Sequence, residues 1–162
     1  IVVKTRRIFP SDVNDNNTLF GGKLMSDIDM TASISATRHC RNAVVTASTD
    51  SVDFLAPISP EDSVCLESYV SWTGNSSMEV FVKVTAEHLM TGERKIAATA
   101  FLTFVAMDES GKPTRVPKVI PETEEEKKLN ETAAFRAAKR KEHRKQSKEL
   151  AEFFNTNRPW ER

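Results

Sequence analysis

Between Ser11 and Asp29 the chain reads SDVNDNNTLFGGKLMSDID, and its character changes halfway along. Residues 11–19 are crowded with Asn, Asp, Ser and Thr. These side chains bond to nearby backbone and favour turns, so this half is a loop. From Gly21 to about His39 there is no Pro and, after Gly22, no Gly. Leu24, Met25, Ile28, Ala32, Ile34 and Ala36 recur at helical spacing, which predicts a helix of about five turns. The Ala, Ser and Thr residues along it suit close packing against a surrounding layer.

Gly21-Gly22 at the start of that helix has two readings. A pair without Cβ atoms lets the helix pack tightly on a sheet. It also leaves first-turn N–H groups, at the positive end of the helix dipole, open to an anion or an oxyanion. Spacing separates the two acids further along. Asp27 shares a stripe with Lys23 and Thr31, which predicts a solvated i, i+4 partner of Lys23. Asp29 shares a stripe with Met25, Ala32, Ser33 and Ala36, which predicts a carboxylate on an apolar, small-residue face. A buried acid is costly unless it is hydrogen-bonded. Asp29 is therefore either a functional group or a hydrogen-bonded structural one.

Outward from the helix the pattern is strand-like. Residues 1–9 form a first strand that Pro10 ends. Val44 to Phe54 is rich in β-branched residues, yet Thr46, Ser48, Asp50 and Asp53 interrupt both of its faces. That suits a strand lining a wet cleft, or an edge strand. Ser63 to Trp72 is a further strand, broken at Gly74-Asn75. Met78 to Ala86 alternates with period two. Met90-Thr91-Gly92-Glu93 signals a hairpin, and Ile96 to Met107 is apolar on both faces, as a central strand would be. One long helix after the first strand, followed by a continuous antiparallel meander, predicts an α+β domain over residues 1–120 with the sheet wrapped around the helix.

From Pro121 the composition shifts. Thr123 with Glu126 is a capping-box pattern, and glutamates crowd the first turn. The expectation for residues 121–162 is a charged helical extension, helical to about Phe154, with a basic centre at Arg136–Lys148. The net charge of +0 over 162 residues draws the chain to neither nucleic acid nor membrane. Cys40 and Cys65 lack metal-type spacing, and no His/Cys/Asp cluster suggests a metal. Two free thiols and no legible secretory leader point to the cytoplasm. His39, His88 and His143 read as structural residues.

The segment FGGKLMSDIDMTA resembles the signature of the acyl-CoA hydrolases of the hotdog superfamily, both the small bacterial and the vertebrate cytosolic enzymes. The blocks VVTASTDSVDF, PISPEDSV, SSMEVFVKV and AFLTFVAMDESGKP resemble the same family in the same order, so the likeness spans roughly residues 5–117. It implies a hotdog fold, a long helix wrapped by about five antiparallel strands. It also implies a homodimer with active sites shared between protomers, often assembled into a hexamer. By the same resemblance Asn14 and Asp29 carry the hydrolysis of a fatty acyl-CoA, and Gly21 with Gly22 polarises the thioester carbonyl. Ala47, Ser48, Thr49, Ser76, Ser77 and Met78 match segments that contact coenzyme A in related enzymes. Coenzyme A enters as part of the substrate and product, with no further cofactor required. Asn17 stands where the family often has Gly, and Asn tolerates left-handed backbone. Two rivals stand beside hydrolysis: a hotdog hydratase or dehydratase, and a CoA- or nucleotide-binding sensor without turnover.

Overall fold

In the computed structural model, which describes every residue except Pro159, Glu161 and Arg162, the first strand β1 is Val2–Arg7. It stops short of Pro10, which opens a single 3-10 turn at Pro10–Asp12. The long helix α1 runs Gly21–Cys40 and ends on Arg41, whose left-handed backbone (φ 57°) turns its N–H onto Thr37 O. Four strands follow: β2 (Ala43–Phe54), β3 (Asp62–Thr73), β4 (Ser77–His88) and β5 (Arg94–Met107). All pair antiparallel, in the order β1-β3-β4-β5-β2.

The sheet wraps α1, which packs against all five strands. The architecture is α+β and is the hotdog arrangement. One part of the expected topology is corrected: only β3, β4 and β5 form the meander. β2 pairs with β5 at the far edge instead of with β3. A helix of 20 residues spans about 30 Å, long enough to carry the chain from the β1 edge across the sheet. β4 takes the centre, and Met78 to Val82 are buried on both faces, where a half-exposed alternation was expected. The core joins Leu24, Ile28, Ala32 and Ala36 of α1 to Val64, Leu66, Met78, Val80, Val82, Val84, Leu102 and Phe104.

The buried face of α1 also differs from the expected one. It holds Leu24, Asp27, Ile28, Thr31, Ala32, Ser35, Ala36 and Cys40, while Met25, Met30 and Ile34 stay exposed. Polar side chains occupy the buried stripe because each finds a partner. Thr31 Oγ1 donates to Asp27 O, Ser35 Oγ donates to Ser68 O and also meets Ser68 Oγ, and Ser68 Oγ donates to Thr31 O. Asp27 is not solvated and does not pair with Lys23. It is buried and accepts from Lys4 Nζ and Arg6 Nε, both at 2.7 Å. Lys23 turns instead to Asp12, at 2.9 Å.

β2 is an edge strand with no fully buried residue. Its register slips between Thr46 and Ser48 and again between Thr49 and Ser51. Each bulge switches the side of the sheet that the following residues face, which explains polar interruptions on both faces. Asp50 ties the bulged segment to the sheet by accepting from Ser48 Oγ at 2.5 Å and Thr103 Oγ1 at 2.7 Å.

The chain divides into two compact units, Ile1–Pro121 and a second beginning at Glu122. Among its described residues the second contains two α-helices, not one: α2 (Glu124–Glu131) and α3 (Ala133–Phe153). The expected capping box is present, with the Thr123 side chain accepting from Glu126 N–H and Glu126 from Thr123 N–H. Arg136 bridges the break, donating to Leu129 O and Thr132 Oγ1. From Lys141 to Phe153 every residue of α3 is exposed. The last expected residues of the extension, Pro159, Glu161 and Arg162, lie outside the described residues.

Candidate active site

The loop before α1 is built around Asn14. Its side-chain Oδ1 accepts three hydrogen bonds, from Asn16 N–H (3.0 Å), Thr18 N–H (3.2 Å) and Thr18 Oγ1 (3.2 Å). Backbone bonds close the loop beneath it, and Val13 bridges to Leu19. Asn17 takes the left-handed conformation at φ 56°, as its place in the sequence suggested. Two of the three donors are backbone N–H groups, so Oδ1 is identified as the acceptor. The Asn14 Nδ2 hydrogens have no acceptor among the described residues. Asn14 is thus half-buried, locked, and presents a donor.

That loop is clamped to the start of α1. Phe20 N–H donates to Asp12 O at 2.8 Å, and Phe20 O then receives the N–H groups of Lys23 and Leu24. No side chain caps the helix. The N–H groups of Gly21 and Gly22 have no acceptor among the described residues, as expected of a first turn without a cap. The two glycines differ in their steric need. A Cβ on Gly22 would come within 2.7 Å of the Phe20 ring, whereas one on Gly21 would make ordinary contact with Phe54 at 3.5 Å. Close packing and open donors therefore coexist here.

Asp29 lies seven residues along the helix, about 10 Å up its axis from Gly22. It is half-exposed, not buried on an apolar face as expected. Its Oδ1 accepts from Thr46 Oγ1 at 2.9 Å, across from β2. Exposed Met25, Met30 and Ile34 share the helix with it, and Val45, Phe54 and Leu55 are exposed on or just beyond β2. Thr46 was legible in the sequence only as a polar interruption of a strand. The polar run Thr46, Ser48 and Asp50 at every second position of a strand otherwise rich in β-branched residues was the signal that could have singled it out.

Of the residues expected to contact coenzyme A, Ala47, Ser48 and Thr49 are exposed on the edge strand. Ser76 and Ser77 are half-buried at the β3–β4 turn, where Ser76 O accepts from Ala106 N–H. Met78 is fully buried in the core, so its side chain is withdrawn from any ligand. His39 Nε2 meets Pro117 O and His88 Nε2 meets Glu61, while His143 is exposed on α3. None of them approaches Asp29 through a hydrogen bond. Asp12 is held far below the usual carboxylate range by the Phe9 N–H it accepts, then by Lys23 and Arg6.

Residues 16–93 match the family model described as the Thioesterase superfamily. The chain is 66% identical over 98% of its length to the uncharacterized acyl-CoA thioester hydrolase YkhA of Bacillus subtilis, covering 92% of that protein. It is 38% identical over 83% of its length to the rat cytosolic acyl coenzyme A thioester hydrolase, covering 37% of that longer protein. Among solved structures, the acyl-CoA hydrolase of Bacillus cereus superposes with a TM-score of 0.92 at 55% identity, covering 95% of this chain and 94% of that one. An apo-hexameric acyl-CoA thioesterase superposes at 0.85 with 50% identity, covering 87% and 90%. The acyl-CoA hydrolase of Staphylococcus aureus, solved with butyryl coenzyme A, coenzyme A and coenzyme A disulfide, superposes at 0.90 with 46% identity, covering 93% and 92%. That enzyme has also been solved with alanine replacing one asparagine, one aspartate and one threonine, the aspartate fifteen residues after the asparagine and the threonine seventeen after the aspartate. Sequence and fold together make this chain a member of the acyl-CoA thioester hydrolases of the thioesterase superfamily, and an acyl-CoA thioester hydrolase.

Proposed function

We propose that this chain hydrolyses fatty acyl-CoA to the free fatty acid and coenzyme A, at sites shared between two copies. One copy supplies Asp29 with Thr46, and the other supplies Asn14 with the N–H of Gly22, assisted by Gly21. The observation that carries this reading is the separation of these groups along α1. Asp29 and the Gly22 N–H are about 10 Å apart along one helix, too far to act on one carbonyl, and Asn14 lies in the loop before that helix. A two-fold pairing brings each half to its complement, because in an isologous contact residue i meets j and j meets i. The exposed edge strand and the exposed Met25, Met30 and Ile34 supply a surface for that pairing. The Staphylococcus aureus substitutions support the choice of residues, since Asn14, Asp29 and Thr46 repeat the same residue types at the same spacings.

A thioester is already activated, so an ordinary water suffices as nucleophile. Asp29 takes a proton from that water as the oxygen bonds to the carbonyl carbon. The Gly22 N–H and the Asn14 Nδ2 donate to the developing oxyanion. The locked Oδ1 of Asn14 restricts it to this donor role. Collapse of the tetrahedral intermediate breaks the C–S bond and expels the CoA thiolate, which needs little acid assistance. Direct attack by Asp29 through an anhydride is the other route to the same products. Ser48, Thr49 and the backbone at Ala47 would meet coenzyme A on the edge strand, with Ser76, Ser77 and only the backbone of Met78 at the turn. A homodimer within a hexamer is the assembly we favour, by likeness to the hexameric relative. A cytoplasmic location agrees with the cytosolic rat relative.

Thiol release from a panel of acyl-CoAs, followed with DTNB, tests the activity. Release of CoA supports hydrolysis, while binding without release would favour a sensor. Asp29→Asn should abolish release and leave CoA binding largely intact; near-normal turnover would sink the mechanism. Single-turnover reaction in oxygen-18 water separates base from nucleophile, because label retained in Asp29 marks the anhydride.

A further inference from the structure

Five charged side chains form an alternating chain from β1 to the start of α1. Lys4 Nζ and Arg6 Nε hold the two oxygens of buried Asp27, each at 2.7 Å. Arg6 Nη1 reaches on to Asp12 Oδ2 at 2.9 Å, and Lys23 Nζ holds Asp12 Oδ1 at 2.9 Å. Lys23 Nζ also donates to Ser11 O at 2.8 Å. Asp12 Oδ2 accepts Phe9 N–H at 2.9 Å, while Asp12 N–H donates back to Phe9 O at 2.8 Å. Asp12 O takes Phe20 N–H. Among the described residues, Asp12 is therefore the one bonded at once to the strand before the loop, to the first helical turn and to the backbone that begins and ends the Asn14 loop. Asn14 follows it by two residues.

We infer that Asp12 is a positioning residue, whose carboxylate, gripped by Arg6 and Lys23, sets the Asn14 amide beside the Gly22 N–H so that both donors aim at one oxyanion. The alternative is a clip that holds the fold and nothing more. The arrangement favours positioning for two reasons. The three donors to Asp12 come from β1, α1 and the loop entry, so their directions fix the loop in three dimensions instead of merely attaching it. Within the loop, and among the described residues, Asn14 bonds only to Asn16, Asn17 and Thr18, so its orientation relative to the helix is inherited from the loop's anchors, of which Asp12 alone ties it to both β1 and α1 side chains, beside the Val13–Leu19 bridge. Misplacing a donor by about 1 Å costs on the order of 100-fold in rate, so a small tilt of this loop would be felt in turnover.

This inference rests on the reading of Asn14 as a catalytic donor. Asp12→Asn tests it, because the new amide keeps an acceptor for Phe9 N–H but turns an NH2 toward the Lys23 ammonium. We expect kcat for acyl-CoA to fall about 10- to 100-fold with KM within about threefold. In an Asn14→Ala background the same substitution should cost less than about threefold, because a residue that acts through Asn14 has nothing left to position. Lys23→Met, at a half-exposed arm of the network, gives a smaller kcat loss with the same non-additivity and serves if Asp12→Asn does not fold. A full kcat loss from Asp12→Asn or Lys23→Met in both backgrounds would overturn the inference, as would an unchanged kcat. Failure of Asn14→Ala itself to reduce turnover would instead remove the reading of Asn14, a separate outcome.

Discussion

Asp27 and Asp29 sit two residues apart on one helix and should separate stability from turnover. Asp27 has a side chain only 8% exposed, against 35% for Lys4 and 23% for Arg6. Breaking a fully buried pair costs about 3–5 kcal/mol because a charge is stranded. Here the stranded cations regain water, which discounts the figure, so Asp27→Asn should cost about 2–3 kcal/mol. For a chain of this size that lowers Tm by about 5–10 °C. Asp29→Asn keeps an acceptor for the Thr46 hydroxyl at a half-exposed site, so its stability should change by less than about 0.5 kcal/mol. Its kcat should fall at least about 100-fold with the loss of the general base. Thermal melts and DTNB-monitored turnover, run on both variants in one buffer, make the comparison. Refutation would be the reverse pattern: an Asp27→Asn variant as stable as the parent, or an Asp29→Asn variant that loses stability while its folded fraction turns over normally.

Thr46→Val keeps the shape of the side chain and removes the hydroxyl that orients Asp29; kcat should fall about 3- to 30-fold with KM little changed, as steady-state kinetics would measure. Gly22→Ala places a methyl against the Phe20 ring, which is exposed and free to swing. Turnover should therefore drop more than stability does, a contrast read by kinetics beside thermal melts. Asp12 has a folded pKa depressed below its ordinary value. Its contribution to stability is then fully present above about pH 4 and lost as pH falls through the lower folded value. Parent protein should accordingly lose stability below about pH 4 more steeply than Asp12→Asn, in melts recorded from acid to neutral pH.

The order of elements, the helix limits and the capping box at Thr123 were legible because each is a local signal: period, glycine, or a cap three residues from its partner. The buried face of α1 was not. Its stripe contains Asp27, Thr31 and Ser35; Thr31 bonds back to Asp27 O within the helix, but Asp27 and Ser35 are tolerated there because Lys4, Arg6 and Ser68 arrive from strands distant in sequence. Choosing Asp29 over Asp27 by apolar spacing therefore reached the candidate acid through a mistaken premise, since the buried acid is Asp27. Thr46 was hidden for a related reason. It stands opposite Phe104 in regular register, before the first bulge, and only the packing of α1 beside β2 brings Asp29 within reach of its hydroxyl. The helix break at Thr132 escaped notice because no Gly or Pro marks it.

The shared site is tested most directly by complementation. Asp29→Asn and Asn14→Ala chains, each strongly impaired alone, are refolded together in equal amounts, and mixing is verified by mass. Half of the dimers would then be mixed, and each mixed dimer would contain one site with both residues intact and one with neither. Activity should return to about one quarter of the parental value. Confirmed mixed dimers with no recovered activity would contradict a site built from two protomers.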